Sequence, residues 1–364
     1  MITRNTTRPP VFRPAPAAPE ECATLTLIRP DDWHLHVRDG DALGVVVPHS
    51  ARCFGRALVM PNLQPPVTSV AQALAYRERI LAAVPDETKF EPLMSLYLTD
   101  ETPPDEIDQA VASGKVIAAK LYPAGATTHS DRGVSAVEHI HPVLERMEKL
   151  GLVLCVHGEV TDADVDVFDR EHVFVEKVLS PLVRHFPGLK VVFEHITTSE
   201  AAQFVRAAGA NVAATVTAHH LAYDRNALFA GGLRPHYYCL PVLKREVHRQ
   251  ALIHAVTCGN PRFFLGTDSA PHAVHAKEAA CGCAGCYTAP LALGLYAEVF
   301  DAADELHRLE AFASLNGPAF YGLPPNAEKI TLERESWQVP EHYAYCGDRL
   351  MPLRAGAAVA WKVV

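Results

Sequence analysis

Eight short apolar segments punctuate the chain, at 25–28, 56–62, 91–99, 116–123, 152–159, 190–197, 211–217 and 262–269, each of a length suited to a buried strand. Between most of them apolar residues recur at helical spacing, as over Val70 to Val84, Ser135 to Leu150, Ser199 to Ala208 and Lys244 to Val256. Strands that alternate with helices predict a parallel sheet, and eight such units predict a closed TIM-type (β/α)8 barrel, an α/β fold. Helix punctuation agrees: Thr68 or Ser69 can cap the second-unit helix, Gly151 ends another, and Ser199 precedes a third.

No stretch rich in Pro, Gly and Ser divides the middle of the chain, so the barrel is expected to fill residues 24–323 as one unit. Beyond Pro324 and Pro325 the pattern turns to short strand-like pieces, Lys329 to Leu332 and Ala357 to Val363, which predict a small C-terminal appendage, 324–364, packed on the barrel. Residues 1–23 hold Pro9, Pro10, Pro14, Pro16 and Pro19 and lack an apolar core, which predicts a disordered tail rather than a signal peptide or a helix.

Composition narrows the function. With 364 residues, 49% hydrophobic and 21% charged, and no apolar run long enough to span a bilayer, the chain reads as a soluble globular protein. A formal charge of -9 without a Lys/Arg cluster excludes nucleic acid as an expected partner. Nine scattered cysteines fit reduced thiols in a cytoplasm better than a disulfide framework.

The chemistry sits where the apolar runs end. His34 and His36 follow the run from Leu25 to Ile28, and Lys120, His157, His195 and Asp268 each close a later run. Residues two apart on a strand share a face, so three columns line up: Val153, Cys155 and His157; Val191, Phe193 and His195; Phe264, Gly266 and Asp268. A fourth runs through Val116, Ala118 and Lys120. Any single histidine could be a satisfied core residue, but polar side chains ending several buried strands point to one shared metal centre at the C-terminal rim, with ligands that suit zinc. Asp31 and Asp32 are expected to be turn or supporting carboxylates. Lys120 is open between two roles: a buried salt-bridge partner, or an amine whose depressed pKa lets it take up carbon dioxide as a metal-bridging carbamate.

Six segments, taken together and in order, resemble the dihydroorotases of bacterial type: DWHLHVRDGD from Asp32, MPNL from Met60, AAKLYP from Ala118, VHGE from Val156, FEHITT from Phe193 and GTDSAPH from Gly266. The resemblance runs from residue 28 to about 323 and implies an amidohydrolase-type barrel with two zinc ions per subunit, bridged by Lys120 as N6-carboxylysine. It implies His34, His36 and Asp268 on one zinc, His157 and His195 on the other, and Asp268 as the group that takes and returns a proton. Arg38, Asn62 and His272 would bind a carboxylated substrate, backbone at Leu240 and Ala284 would meet its ring, and a loop carrying Thr127 and Thr128 would close over it. The implied reaction is the reversible cyclisation of N-carbamoyl-L-aspartate to L-dihydroorotate in pyrimidine synthesis, by a cytoplasmic homodimer. Gly125 and His129 depart from the expected loop pattern. A hydantoinase or dihydropyrimidinase could share the ligand set, and a non-catalytic scaffold barrel would have lost part of it. Cys281, Cys283 and Cys286 could form a structural zinc site with His275; their place on the loop after the eighth strand favours free thiols.

Overall fold

The computed structural model describes residues 23–364, so the tail expected over 1–23 lies, up to residue 22, outside the described residues. The chain enters through β1 (Thr24–Ile28) and then lays down eight parallel strands in chain order around a barrel. These are β2 (Asp31–Leu35), β3 (Arg56–Val59), β4 (Glu91–Tyr97), β5 (Val116–Leu121), β6 (Val153–Val156), β7 (Val191–Phe193), β8 (Val212–Val216) and β9 (Phe263–Leu265). The seam between β2 and β9 is joined at its C-terminal end: the His36 N–H donates to Ser269 O at 3.1 Å and the Asp268 N–H donates to His34 O at 2.9 Å. Three of the expected metal ligands therefore stand on the two chain segments that close the barrel.

Alternation along each strand makes two cores. Trp33, Leu58, Leu93, Ala118, Val153, Cys155, Val192, Ala213 and Phe264 pack together inside the barrel, while Val59, Leu96, Leu121, Leu154, Phe193, Val216 and Leu265 face the helices. Burial of one such aliphatic or aromatic side chain contributes roughly 1.5–3 kcal/mol. The chain after the barrel returns to plug it, with Tyr321 stacked on Trp33 at a ring separation of 4.2 Å.

The run 25–28 is not the first barrel strand. β1 pairs antiparallel with β10 (Lys329–Glu333), Thr24 opposite Glu333 through Ile28 opposite Lys329, and Lys362–Val363 completes this small sheet. The true first strand, DDWHL, is buried at every position yet half polar. Its carboxylates are satisfied: Asp31 accepts from Arg56 Nη2 at 2.6 Å and Asn326 Nδ2 at 2.7 Å, and Asp32 accepts from Thr267 Oγ1 at 2.5 Å and Thr267 N at 2.8 Å. Such pairing removes the desolvation cost that makes apolar runs a reliable strand signal.

Helices fall close to expectation. Val70–Leu81 opens on a reciprocal capping box between Ser69 and Gln72, and Ser199–Ala207 is capped by the Thr198 side chain. The helix expected from Ser135 starts later, as His141–Leu150, because Asp100 binds the Ser135 N–H (2.9 Å) and hydroxyl (2.5 Å) and a 3-10 turn, Val137–Ile140, intervenes. Gly151, at φ 73°, ends it as expected. Among the described residues no helix is long and apolar enough to cross a membrane.

Candidate metal centre

On the side of β2 away from the seam, its register against β3 shifts between Asp32 and Leu35. That irregularity lets Trp33 fill the barrel interior while both His34 and His36 reach its mouth. His34 Nε2 stands 3.3 Å from His36 Nε2 and 3.5 Å from Asp268 Oδ1, and His36 Nε2 is 3.1 Å from the same oxygen. All three side chains are buried. Burial lowers the His36 pKa to about 4, so this imidazole is neutral at neutral pH. The His34 Nδ1–H donates to Glu194 Oε2 at 2.8 Å, which turns the Nε2 lone pair toward His36 and Asp268. Lone pairs converging on one point repel each other unless a cation lies between them, so this donor set fits a metal ion.

The other half is built on β5, β6 and β7. Lys120, next to last in β5, is fully buried; its Nζ has no hydrogen-bond partner and lies 5.1 Å from the centre of the Tyr122 ring. Burial lowers its pKa, the direction that frees an amine to react. An orphaned buried donor costs about 1–3 kcal/mol, more for a charged one, so Lys120 fits a role in which its nitrogen carries something else. The His195 ring lies 4.9 Å from both the His34 and the His157 rings, which joins the two halves. His157 Nε2 donates to Glu159 Oε2 at 2.8 Å.

The expected column Val191, Phe193, His195 is broken. Val192 faces the barrel interior and Phe193 packs outward, so Glu194 takes the inward place. His195 reaches the site through a left-handed backbone, φ 41°, with its N–H bound to Thr215 Oγ1 at 2.7 Å. The Thr215 hydroxyl in turn donates to Glu194 Oε2 at 2.5 Å. Downstream, Glu171 accepts from the Thr197 hydroxyl (2.8 Å) and from the Thr198 N–H (2.8 Å) and hydroxyl (2.5 Å), pinning the turn that follows. A left-handed non-glycine residue costs roughly 1–2 kcal/mol, and these bonds hold it there. Asp268 takes a similar conformation, φ 45°.

A cleft over this centre is lined by Arg38, Asn62, Thr127, Thr128, Leu240 and Ala284 together with His34, His36, His157, His195 and Asp268. Lys120 and His272 stand behind that lining. Arg38 Nη2 donates to His272 Nε2 at 2.8 Å and its Nε donates to Pro271 O at 3.1 Å, so His272 acts on the cleft by aiming the guanidinium. Burial, then the Arg38 charge, lower the His272 pKa to about 2, which keeps it an acceptor. The Thr127–Thr128 loop docks inward: Asn62 Nδ2 donates to Thr128 O at 3.3 Å and His129 Nδ1 to Asn62 O at 3.2 Å. Both departures from the loop pattern have a use here, since Gly125 (φ 79°) and His129 (φ 58°) take left-handed turns.

Residue-by-residue reading of the sequence missed Glu194, Glu159, Thr215, Glu171 and Tyr122. Glu194 and Glu159 were within sight, one beside His195 and the other two past His157, in FEHITT and VHGE. A second buried group, His219, His220 and Cys239, also gathers three donor atoms. Two of its members are satisfied by the protein, since His220 Nδ1 accepts from Thr217 Oγ1 at 2.7 Å and His220 Nε2 and Cys239 Sγ donate to Pro241 O at 2.9 and 3.3 Å, whereas neither ring nitrogen of the buried His219 has a hydrogen-bond partner. Cys281, Cys283 and Cys286 are free thiols, and His275 Nδ1 binds Asp348 Oδ2 at 2.7 Å instead.

Comparison with known proteins places this arrangement. Residues 23–335 match the model of the amidohydrolase family. A dihydroorotase of an Azoarcus species is 75% identical over 341 residues, 93% of this chain and 99% of its own. That of Aromatoleum aromaticum is 72% identical over 342 residues, 94% and 99%. Among solved structures, the crystal structure of dihydroorotase from Campylobacter jejuni superposes with a TM-score of 0.86 at 36% identity, covering 95% of this chain and 99% of that one. Dihydroorotase from Saccharomyces cerevisiae, in complex with 5-fluoroorotic acid, superposes at 0.87 with 33% identity, covering 94% and 98%. An L-hydantoinase from Arthrobacter aurescens, 15% identical at 0.75, shares the fold.

Proposed function

The chain belongs to the amidohydrolase family and, within it, to the dihydroorotases, and from that premise we propose the chemistry its residues perform on N-carbamoyl-L-aspartate and L-dihydroorotate. The observation that carries the reading is one cleft in which His34, His36 and Asp268 converge beside the Arg38 guanidinium. A planar fork suits a carboxylate, and both partners of this reaction carry one.

Two zinc ions would complete the site, with His34, His36 and Asp268 able to hold one and His157 and His195 the other. The Lys120 ammonium would lose one proton, and the free amine would add to carbon dioxide, forming an N–C bond and releasing a second proton, to give a carbamate able to join the two ligand sets. Its charge changes from positive to negative, which resolves the orphaned buried ammonium. When bound, such metals bring the pKa of water from 15.7 toward roughly 7 and polarise the attacked carbonyl.

The chain's own groups do the rest. Asp268, held against His36, accepts the proton of the attacking water and returns it to the ring nitrogen that leaves on opening; cyclisation runs the same transfers backwards. Arg38, aimed by His272, fixes the substrate carboxylate, and Asn62 holds the Thr127–Thr128 loop over the cleft. Backbone groups of Leu240 and Ala284 meet the amide edge of the ring. The hydantoinase reading is the weaker one, because its rings lack the carboxylate that Arg38 is placed to bind.

The test is hydrolysis of dihydroorotate by the purified protein, set against an uncharged hydantoin. The reading expects efficient turnover of the former and little of the latter; preference for the hydantoin contradicts it. The homodimer belongs to the same proposal, checked by light scattering, as does the cytoplasmic location.

A further inference from the structure

Lys277 closes the short helix Val274–Lys277 on the loop after β9, and it is 3% exposed although it carries an ammonium group. Its ammonium bonds to carbonyls: Nζ donates at 2.8 Å to each of Tyr238 O, Cys283 O and Gly285 O. An ammonium has three N–H donors, and all three are used. The Gly285 N–H donates to the same Tyr238 O at 3.0 Å, so one knot joins two segments distant in sequence.

Both segments are cleft wall. Leu240 follows Tyr238 by two residues, and Ala284 lies between the two anchored carbonyls of Cys283 and Gly285. Ala284 O accepts from Thr128 Oγ1 at 3.4 Å, which carries the same knot to the loop over the cleft. The packing leaves no slack: a Cβ at Gly282 would lie 2.4 Å from Lys277 O, and Gly285, at φ +139°, would set one 2.7 Å from Ala270 Cβ.

Burying a cation against neutral carbonyls is a costly way to fold a loop, and no step of the proposed chemistry uses this charge. What it does is hold peptide groups of two segments at a fixed spacing. A cyclic amide presents N–H and C=O edges at a fixed spacing too, and a site built to match them loses discrimination when its own groups drift.

We propose that Lys277 is a positioning residue for substrate specificity, clasping the backbone segments at Leu240 and Ala284 into the register that recognises the amide edge of the dihydroorotate ring. The inference rests on the dihydroorotase reading. Lys277→Met keeps the aliphatic stem and removes the three donors. The expected result is a KM for dihydroorotate raised about tenfold or more, kcat within about threefold, unaltered metal content, and faster hydrogen exchange at the Gly285 amide. A folded, metal-replete Lys277→Met protein with unaltered KM and exchange overturns the proposal, even if its melting temperature falls.

If that variant does not fold, Lys277→Arg decides the matter. A guanidinium keeps the charge but its planar fork cannot aim at three converging carbonyls, so KM is expected to rise in the same direction by a smaller factor; an unaltered KM refutes the clasp. The unaltered protein is assayed alongside. Absence of turnover there would sink the dihydroorotase reading, while the exchange comparison at Gly285 continues to decide for or against the clasp.

Discussion

The two halves of the metal centre are built on different principles. On the seam between β2 and β9 the protein alone brings His34, His36 and Asp268 within hydrogen-bond range and orients His34 through Glu194. Across the mouth, His157 is tied to Glu159, His195 depends on a strained turn, and Lys120 ends in an unpartnered nitrogen. One half is complete as a set of side chains; the other, on the proposed chemistry, becomes complete only when its lysine is carboxylated. Substitutions in the second half should therefore cost more than their side chains' own contacts suggest.

Lys120→Ala gives the largest expected effect. If Lys120 carries the proposed bridging carbamate, turnover of dihydroorotate should fall about a thousandfold or more and bound zinc should drop below two per chain. A short carboxylic acid added to that variant, placed where the carbamate would lie, should restore part of both; elemental analysis alongside the assay checks this. Asp268→Asn keeps the shape of the seam half but removes the proposed base, and kcat should fall about 10²–10⁴-fold, with loss of the dependence on deprotonation that the unaltered protein is expected to show in its pH profile of kcat.

Smaller effects sharpen the contrast. Glu194→Gln leaves every proposed ligand in place but weakens the hold on His34, so zinc affinity by competition with a chelator should fall about 10–100-fold. The loss should be larger for the ion of the seam half. Arg38→Met removes a charged hydrogen-bonding fork of roughly 1.5–3 kcal/mol and should appear mainly as a raised KM, with the metals retained.

The sequence disclosed much of this, and where it fell short the reasons are physical. Seven of the eight barrel strands are visible as apolar runs, with His157, His195 and Asp268 just outside their ladders and Lys120 the one ligand candidate among these runs that lies within its ladder. β2 is not, because Asp31 and Asp32 are buried on partners far away in the chain: Arg56, Thr267 and Asn326. β1 mimics it in sequence because an amphipathic edge strand and a barrel strand share the same short apolar pattern.

The columns through Val153 and Cys155 and through Phe264 face the barrel interior as parity expects, whereas Val116 packs in the outer core, so the column through Ala118 to Lys120 is broken at its start by a register shift. Parity placed His195 in the site for the wrong reason, since a left-handed residue resets the alternation and no pattern of apolar positions records a backbone angle. Glu171 lay beyond such reading, because its role exists only through contacts 26 and 27 positions away. The resemblance supplied Arg38, Asn62, Leu240, His272 and Ala284 as a set. Spacing alone did not single them out.

The central claim is that Lys120 is carboxylated and ties two metal ions together. Diffraction from crystals of the active protein, with anomalous data at the zinc absorption edge, tests it most directly. The account expects two peaks, one beside His34 and His36 and one beside His157 and His195, with planar density extending from Lys120 Nζ between them. A bare ammonium at Lys120, with a single peak or none, would contradict it.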